Sequence, residues 1–180
     1  MLYTDGMWEI RAERDHDERA IEALVDRCFG PGRYAKTAYR LREGVTPERR
    51  LSFVAVDGLL LGSVRFWPVA VGVQSSLLLG PLAVEPELRG KGIGISLMQH
   101  GIEQARSLGF ATIILVGDES YYARVGFAKL TPGRIRMPGP VDSDRLLGLA
   151  LKAGGLDTLS GEVKRARIDA PVSAQETALG

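Results

Sequence analysis

The segment from Leu77 to Gly109 most constrains the fold, because an apolar run, a basic glycine-rich turn and a helical pattern follow one another there. Residues 77–84 are almost wholly apolar, as in a strand buried on both faces, and Pro86 suits the strand exit because proline cannot donate to a central ladder. From Gly92 onward apolar residues recur at steps of three and four, which predicts an amphipathic helix ended by Gly109. The start of such a helix offers unpaired N–H groups and partial positive charge. The segment therefore predicts an anion site.

The turn itself, Arg89-Gly90-Lys91-Gly92-Ile93-Gly94, differs from two common phosphate-binding motifs. A P-loop requires a lysine after its second glycine and then Ser or Thr, whereas Lys91 precedes the glycine here. A dinucleotide-binding turn requires a glycine where this chain has Ile95. The pattern present is RxxGxG, preceded by Leu82-Ala83-Val84 at the end of the apolar run. This combination resembles the pyrophosphate-binding turn of the GNAT superfamily of acyl-CoA N-acyltransferases; the alternative is a glycine-rich connection with solvated basic residues.

A second stretch, YYARVGF at residues 121–127, also resembles GNAT enzymes, which often carry a tyrosine four residues before a Gly-Phe pair. Tyr122 stands at that position. The chain departs from the family pattern at Val116, where many members place an asparagine that faces CoA. The resemblance therefore does not imply the usual side-chain contact at residue 116.

The resemblance implies an α/β (α+β) fold with a mixed, mostly antiparallel sheet of about seven strands and flanking helices. In that fold the strand equivalent to 77–84 splays from the parallel strand equivalent to 111–116, and the pantetheine arm of CoA enters the gap. We expect one domain over residues 1–169 and a frayed C-terminal tail over 170–180.

The resemblance also implies the reaction: direct attack of a primary amine on acetyl-CoA in a ternary complex, with acetyl-CoA as cosubstrate and no metal. Tyr122 would be the general acid that protonates the departing thiolate; the alternative is a core tyrosine. A backbone N–H near Val84 would stabilise the oxyanion. The carboxylates nearby in sequence are Glu85, Asp118 and Glu119; Asp118 is the preferred base because it follows a parallel strand, and solvent is an alternative. The cofactor-binding residues implied by motif position are Leu82, Ala83 and Val84 for the pantetheine and Arg89, Gly90, Lys91, Gly92, Ile93 and Gly94 for the pyrophosphate.

The acceptor is less constrained. A basic, aromatic stretch at residues 33–44 and an aromatic strand end precede the predicted CoA strand, so we expect Tyr34, Tyr39, Phe66 and Trp67 to border the acceptor pocket; the alternative is core packing. The acceptor amine could be a polyamine or amino acid, an aminoglycoside-like compound, or a protein N-terminus or lysine. A non-catalytic CoA-thioester-binding module or sensor is an alternative to the enzyme, and a nucleotide-binding protein is a third.

The other elements follow from periodicity and turn residues. Asp57-Gly58 between two apolar runs predicts a β-hairpin. The remaining predicted elements are a first strand at Met7–Arg11, a helix from Asp15 to about Phe29, a short helix within 33–44, a short helix at Tyr121–Val125 capped by Gly126, and late strands at Leu146–Leu151 and Gly161–Val163.

Composition excludes several classes of protein. A net charge of +1 over 180 residues gives no overall attraction to nucleic acid or to an anionic membrane. One cysteine, Cys28, excludes an internal disulfide and suits a reducing compartment, and its position on an apolar stripe predicts packing. The charged N-terminus lacks a signal-peptide core, so we expect a cytoplasmic protein. The sequence leaves open whether the protein is a monomer or a homodimer.

Overall fold

The computed structural model describes residues 8–166; Met7 and the predicted tail 170–180 lie outside the described residues. Within that range the chain forms nine strands and four α-helices. The strands are β1 (Glu9–Ala12), β2 (Ser52–Asp57), β3 (Leu59–Val71), β4 (Gln74–Val84), β5 (Thr112–Val116), β6 (Ala128–Lys129), β7 (Ile135–Arg136), β8 (Leu146–Ala150) and β9 (Gly161–Arg165). The helices are α1 (Glu18–Phe29), α2 (Thr37–Arg40), α3 (Ile93–Ser107) and α4 (Glu119–Tyr122).

The sheet is mixed and mostly antiparallel, in the order β1-β2-β3-β4-β5-β8-β6, with β9 beside the far end of β3 and β7 beside β9. Only the β4–β5 and β7–β9 pairs are parallel. This confirms the predicted fold class. The two strands beyond the expected seven, β6 and β7, contain two residues each, which is too short for a periodic pattern to reveal.

Helices α1 and α3 cover opposite faces of the sheet, as the alternation of side chains along β2 and β3 requires. Phe53 and Ala55 belong to the core under α3, whereas Val54, between them, packs against the α1 stripe. Val64 and Phe66 of β3 also face α3. The apolar stripe of each helix therefore marks the face that the helix buries against the sheet.

Strands β4 and β5 separate soon after they meet. Their parallel register contains only Leu77 opposite Ile113 and Leu78 opposite Ile114. Two residues further along β4, Gly80 and Pro81 together oppose the single residue 65 of β3, which forms a β-bulge. A bulge bends its strand and increases its twist. Beyond Leu78, the edge of β4 that faces β5 has no ladder partner, and this is the splayed parallel pair that the resemblance implies.

The short helix predicted within residues 33–44 is broken into two pieces. A 3-10 turn spans Pro31–Ala35, Lys36 is extended with φ −75° and ψ 139°, and α2 follows. The cause is tertiary: Arg33 is 3% exposed, and its guanidinium binds Asp26 and Glu22 of α1. These ion pairs hold the 3-10 turn against α1. Across the described residues, no helix is both long and apolar enough to cross a membrane.

Candidate functional site

A cleft of about 430 Å³ opens between the end of β4 and the start of α3; we call it the turn cleft. It brings together almost all of the residues predicted for CoA. Lys91 is the exception, because it does not line the cleft. The lining residues are Cys28, Phe29, Leu82, Ala83, Val84, Leu88, Arg89, Gly90, Gly92, Ile93, Gly94, Ile95, Tyr121, Tyr122 and Arg124.

The backbone of the glycine turn is shaped for an anion. Gly92, with φ +88°, is the N-cap of α3 in a left-handed conformation that favours glycine. The amide of Ser96 donates to Gly92 O at 3.0 Å. The amides of residues 93–95 precede this first helical bond and lack intrahelical acceptors. Because α3 is 15 residues long, its dipole adds partial positive charge at the same point.

Three cationic side chains surround this helix start. Arg89 and Lys91 are exposed, and neither forms a salt bridge within residues 8–166. Arg124 stands on the wall formed by the segment after α4, with its guanidinium 5.9 Å from the centre of the Tyr121 ring. The sequence did not single out Arg124, since it lies far along the chain from the turn. The turn cleft therefore combines unpaired amides with cationic side chains, as a pyrophosphate requires.

Tyr121 and Tyr122 are adjacent in sequence but occupy different surroundings. The Tyr121 hydroxyl rests against Gly94, where a Cβ would collide with it. The Tyr122 ring lies over Gly117 in the same way, and it meets the Tyr121 ring edge-to-face at 5.2 Å. Burial, and to a smaller extent Tyr121, raises the pKa of Tyr122 to about 12, while Arg145 and Arg42 act in the opposite direction. Tyr122 is therefore a neutral phenol at ordinary pH.

A second cavity of about 370 Å³ lies beside α2; we call it the α2 cavity. It shares Phe29, Leu82 and Tyr122 with the turn cleft, so the two spaces meet at these side chains. Its other polar or charged lining residues are Arg33, Lys36, Thr37, Tyr39, Arg42, Asp142 and Arg145.

The aromatic residues predicted to border the acceptor pocket are divided by the structure. Tyr39 lines the α2 cavity and accepts a hydrogen bond from Arg33 Nε at 3.0 Å. Tyr34 is 53% exposed and packs edge-to-face on Tyr39 without lining the cavity. Phe66 is fully buried under α3, and Trp67 is buried on the opposite face of the sheet. The prediction treated Phe66 and Trp67 as neighbours, but successive residues of a strand point to opposite faces.

Asp118, the predicted base, does not line either cavity. It is exposed at the start of α4, where its carbonyl accepts from the amides of Tyr121 and Tyr122 at 3.1 Å. Its place beyond the end of β5 is as predicted, but its side chain contributes to neither wall. Asp142 is the one carboxylate on the α2 cavity wall among the described residues. No sequence signal marked Asp142, because it comes from a loop far from the other site residues.

Cys28 contributes more than packing. It is partly buried, lines the turn cleft, and its thiol donates to Val84 O at 3.3 Å.

Residues 8–166 contain no group of three or more His, Cys, Asp or Glu side chains arranged to hold a metal ion.

Comparisons with known proteins agree with this geometry. A family model described as Acetyltransferase (GNAT) family matches residues 18–130, which include α1, the glycine turn and the two tyrosines. An uncharacterised N-acetyltransferase of Escherichia coli, YhbS, is 35% identical over 136 residues, which cover 72% of this chain and 80% of that protein.

Two solved structures share the fold along most of the chain. The crystal structure of Escherichia coli YhbS in complex with CoA has a TM-score of 0.71 at 30% identity, and the match covers 89% of this chain and 92% of that one. A GNAT family acetyltransferase from Brucella melitensis, in complex with acetyl-CoA, has a TM-score of 0.63 at 28% identity, with 88% and 96% covered.

Proposed function

This chain belongs to the GNAT family of acetyltransferases, and we propose that it transfers the acetyl group of acetyl-CoA to a primary amine. The observation that carries the proposal is the meeting of the turn cleft and the α2 cavity at Leu82 and Tyr122. A reaction between two substrates requires two binding spaces that join at the reacting atoms. The crystal complexes of the two relatives with CoA and acetyl-CoA support the same assignment.

The residues of the turn cleft fit the chemical parts of CoA. The amides of residues 93–95 and the side chains of Arg89 and Arg124 suit the pyrophosphate, and Lys91, which is exposed next to the cleft, adds positive charge nearby. The unpaired edge of β4 at residues 82–84 suits the amides of the pantetheine, because an extended ligand can satisfy backbone groups that lack a strand partner. The thioester would then lie toward Tyr122, where the turn cleft joins the α2 cavity.

The chemical step balances with residues of this chain. The neutral amine attacks the thioester carbonyl, so that a C–N bond forms and the C–S bond breaks. A backbone N–H on the unpaired edge of β4 stabilises the negative charge that develops on the carbonyl oxygen. CoA leaves as a thiolate and takes a proton from the Tyr122 hydroxyl. The resulting phenolate, stabilised by Arg145 and Arg42, is reprotonated by the proton that the attacking nitrogen loses as the amide forms, which regenerates Tyr122.

The amine must lose a proton before or during attack. Asp142 lines the α2 cavity and is also exposed to solvent, so it can accept this proton and release it to water. We propose Asp142 for this role in place of Asp118, which lies outside both cavities. The acceptor amine occupies the α2 cavity in this arrangement.

Thermal unfolding with CoA tests the first half of the proposal. CoA and acetyl-CoA should raise the Tm by mass action, whereas NAD and ATP should raise it much less. A matched pair of variants, Gly92→Asp and Gly92→Asn, isolates the phosphate contact. Both side chains tolerate the left-handed conformation, and a Cβ at Gly92 would meet no atom within 4 Å. We expect Gly92→Asp to lose the CoA shift by repelling the phosphates and Gly92→Asn to retain much of it.

Release of free thiol from acetyl-CoA in the presence of a panel of amines tests the second half. Turnover with at least one amine is expected. A clear CoA shift with no thiol release on any amine would favour a non-catalytic CoA-binding module. The absence of a CoA shift in the wild-type protein would contradict the proposal as a whole.

A further inference from the structure

Arg42 is a cation of the α2 cavity that has no hydrogen-bond or ion-pair partner among residues 8–166. Its Nε is buried and makes no hydrogen bond, and no carboxylate within residues 8–166 forms a salt bridge with it. Its guanidinium packs on aromatic rings instead, 5.7 Å from the Tyr39 centroid and 5.9 Å from the Trp67 centroid. Burial lowers the pKa of Arg42 to about 10, because a charged guanidinium is less stable away from water.

Arg33 and Arg65, the two buried arginines among the described residues, are both paired, whereas the half-buried Arg42 is not. Arg33 binds Asp26 and Glu22, and Arg65 binds Glu13 at 2.6 Å. A buried polar group without a partner is destabilising and requires an explanation. Arg42 lines a cavity, so a ligand can supply the missing acceptors.

The position of Arg42 is also specific. A Cβ at Gly80 would lie 2.9 Å from Arg42 Nη2, so the guanidinium sits over the glycine of the β4 bulge. This bulge precedes Leu82, which lines both the α2 cavity and the turn cleft. Arg42 and Tyr122 line the same cavity, and Arg42 is close enough to lower the pKa of the Tyr122 hydroxyl. A ligand held by Arg42 would therefore lie near the reacting atoms.

The charge of the α2 cavity discriminates between classes of amine. Lys36, Arg42 and Arg145 line it without a salt bridge in the described part of the chain, and Asp142 is the single opposing carboxylate. Polyamines and aminoglycosides carry several positive charges, which the cations of this cavity would repel. An amine that also carries a negative group would complement both signs.

We propose that the acceptor is a small primary amine that carries a carboxylate, and that Arg42 binds this carboxylate while the amine faces Leu82 and Tyr122. The planar guanidinium suits a bidentate contact with a carboxylate. This inference rests on the proposed acetyl transfer and adds the class of acceptor to it.

The test compares matched acceptors. Each common α-amino acid is assayed beside its own carboxamide, with putrescine and spermidine as polycationic acceptors, by thiol release from acetyl-CoA. Because the amine of a carboxamide is less basic, rates are measured across pH and compared for the neutral amine. We expect at least one acid to exceed its carboxamide by roughly 10–100-fold in kcat/KM, the range of a charge-assisted hydrogen bond. The polyamines should be poor acceptors.

Two substitutions of Arg42, with Arg40→Gln as a control, test whether Arg42 causes the preference for the acid. Arg42→Gln should raise KM for the acid by roughly the same 10–100-fold factor, leaving the carboxamide and acetyl-CoA KM values nearly unchanged. Loss of its charge beside Tyr122 should lower kcat by the same factor for the acid and the carboxamide. Arg42→Lys should retain only part of the preference, because lysine lacks the planar fork. Arg40→Gln removes an equal charge from an exposed position in α2 outside the cavity and should change nothing. Without substrate, the Tm of Arg42→Gln should equal or exceed that of the wild type, since an unpaired buried charge is removed. A lower Tm would instead indicate a structural role.

Binding measured without turnover separates failure of this inference from failure of the proposed function. In the presence of saturating CoA, the acid should raise the Tm of the wild type further, its carboxamide should not, and Arg42→Gln should abolish the difference. If thiol release fails but this pattern holds, the transfer reaction is wrong and the carboxylate site stands. Equal responses to acid and carboxamide, preference for polyamines, or an Arg42→Gln effect confined to acetyl-CoA would each overturn the inference.

Discussion

Two adjacent tyrosines illustrate how far sequence position alone can assign a role. The resemblance to GNAT enzymes selects Tyr122 by its spacing from Gly126-Phe127, and the structure gives the two hydroxyls different surroundings. Tyr121 contacts the start of α3, whereas Tyr122 lines both cavities. The cations that act on Tyr122, Arg42 and Arg145, come from segments about 100 residues apart, so no local pattern could reveal them.

Replacing each tyrosine by phenylalanine distinguishes their roles. Tyr122→Phe keeps the ring that packs on Gly117 and Phe127 but removes the proposed proton donor. We expect kcat to fall by roughly 10²–10⁴-fold while the CoA-induced Tm shift persists. Tyr121→Phe is the matched control and should affect CoA affinity more than kcat. Equal kcat for Tyr122→Phe and the wild type, with chemistry rate-limiting, would exclude Tyr122 as the acid.

The pH dependence of kcat/KM provides an independent check. Because the pKa of Tyr122 is raised to about 12, the phenol keeps its proton until the pH approaches that value. The rate should therefore rise with pH as the amine becomes neutral, with no loss from this group below about pH 11. The measurement is the pH profile of thiol release, with thermal unfolding at each pH as a control for stability. A decline that sets in near neutral pH and disappears in Tyr122→Phe would contradict the assignment.

The helix α3 owes its position to a close contact with β3 that periodicity does not encode. The stripe Leu97, Met98 and Ile102 predicts which face is buried, but the approach distance depends on Gly101. A Cβ at Gly101 would collide with the Phe66 ring, which is fully buried. The glycine therefore allows the helix to approach the strand closely, and α3 in turn positions the glycine turn at its start.

This contact predicts that Gly101→Ala lowers the free energy of unfolding, whereas helix propensity alone predicts that it raises it. Alanine is favoured over glycine in a helix by about 1 kcal/mol, so Gly101→Ala would stabilise an isolated α3. In the protein we expect a net loss of about 1–3 kcal/mol of unfolding free energy, because the methyl group overpacks the Phe66 ring. Urea unfolding measures the effect.

A compensating change provides the control for this substitution. Phe66→Leu alone leaves a cavity and should destabilise the protein, but Gly101→Ala combined with Phe66→Leu should cost less than the sum of the two single changes. Additive losses would mean that the two residues are not in contact as described.

Much of the fold could be predicted because its main strands and both long helices carry their own periodic signals, and the hairpin at Asp57-Gly58 carries its turn residues. The parts that could not be predicted depend on distant contacts. The break at Lys36 follows from ion pairs between Arg33 and α1, and the two-residue strands β6 and β7 exist only beside β8 and β9.

The candidate site divides in the same way. Most of its proposed CoA half is one continuous segment, residues 82–94, and could be identified from the sequence, whereas Arg124 of the same cleft could not. Its acceptor half is assembled from α2, the β4 bulge and the loop that contains Asp142. None of these segments carries a motif, so, apart from Tyr39, which the aromatic stretch suggested, the polar and charged wall of the α2 cavity emerged only from the structure.

Part of the stability of the protein toward acid should depend on an ion pair near its N-terminal edge. Arg11 of β1 binds Asp17 through two hydrogen bonds, at 2.7 and 2.9 Å, and the Arg14 amide donates to the same carboxylate at 2.8 Å. The hydrogen bond from Arg11 is the main cause that lowers the pKa of Asp17 from 3.8 to about 2. This contact connects β1 with the beginning of α1.

A carboxyl group whose pKa is lowered in the folded protein stabilises it above the unfolded pKa and loses that effect as pH falls through the folded pKa. The contribution of Asp17 should thus be fully present above about pH 4 and should fade by about pH 2, with a total of roughly 2 kcal/mol. Urea unfolding of wild type and Asp17→Asn between pH 7 and pH 2 measures it as a difference that shrinks over this interval. Asp15→Asn is the control, because Asp15 is 88% exposed and its pair with Arg49 lies on the surface; its difference from wild type should stay small throughout. If the difference in unfolding free energy between wild type and Asp17→Asn stays constant down to pH 2, protonation of Asp17 does not destabilise the folded protein, and the prediction is wrong.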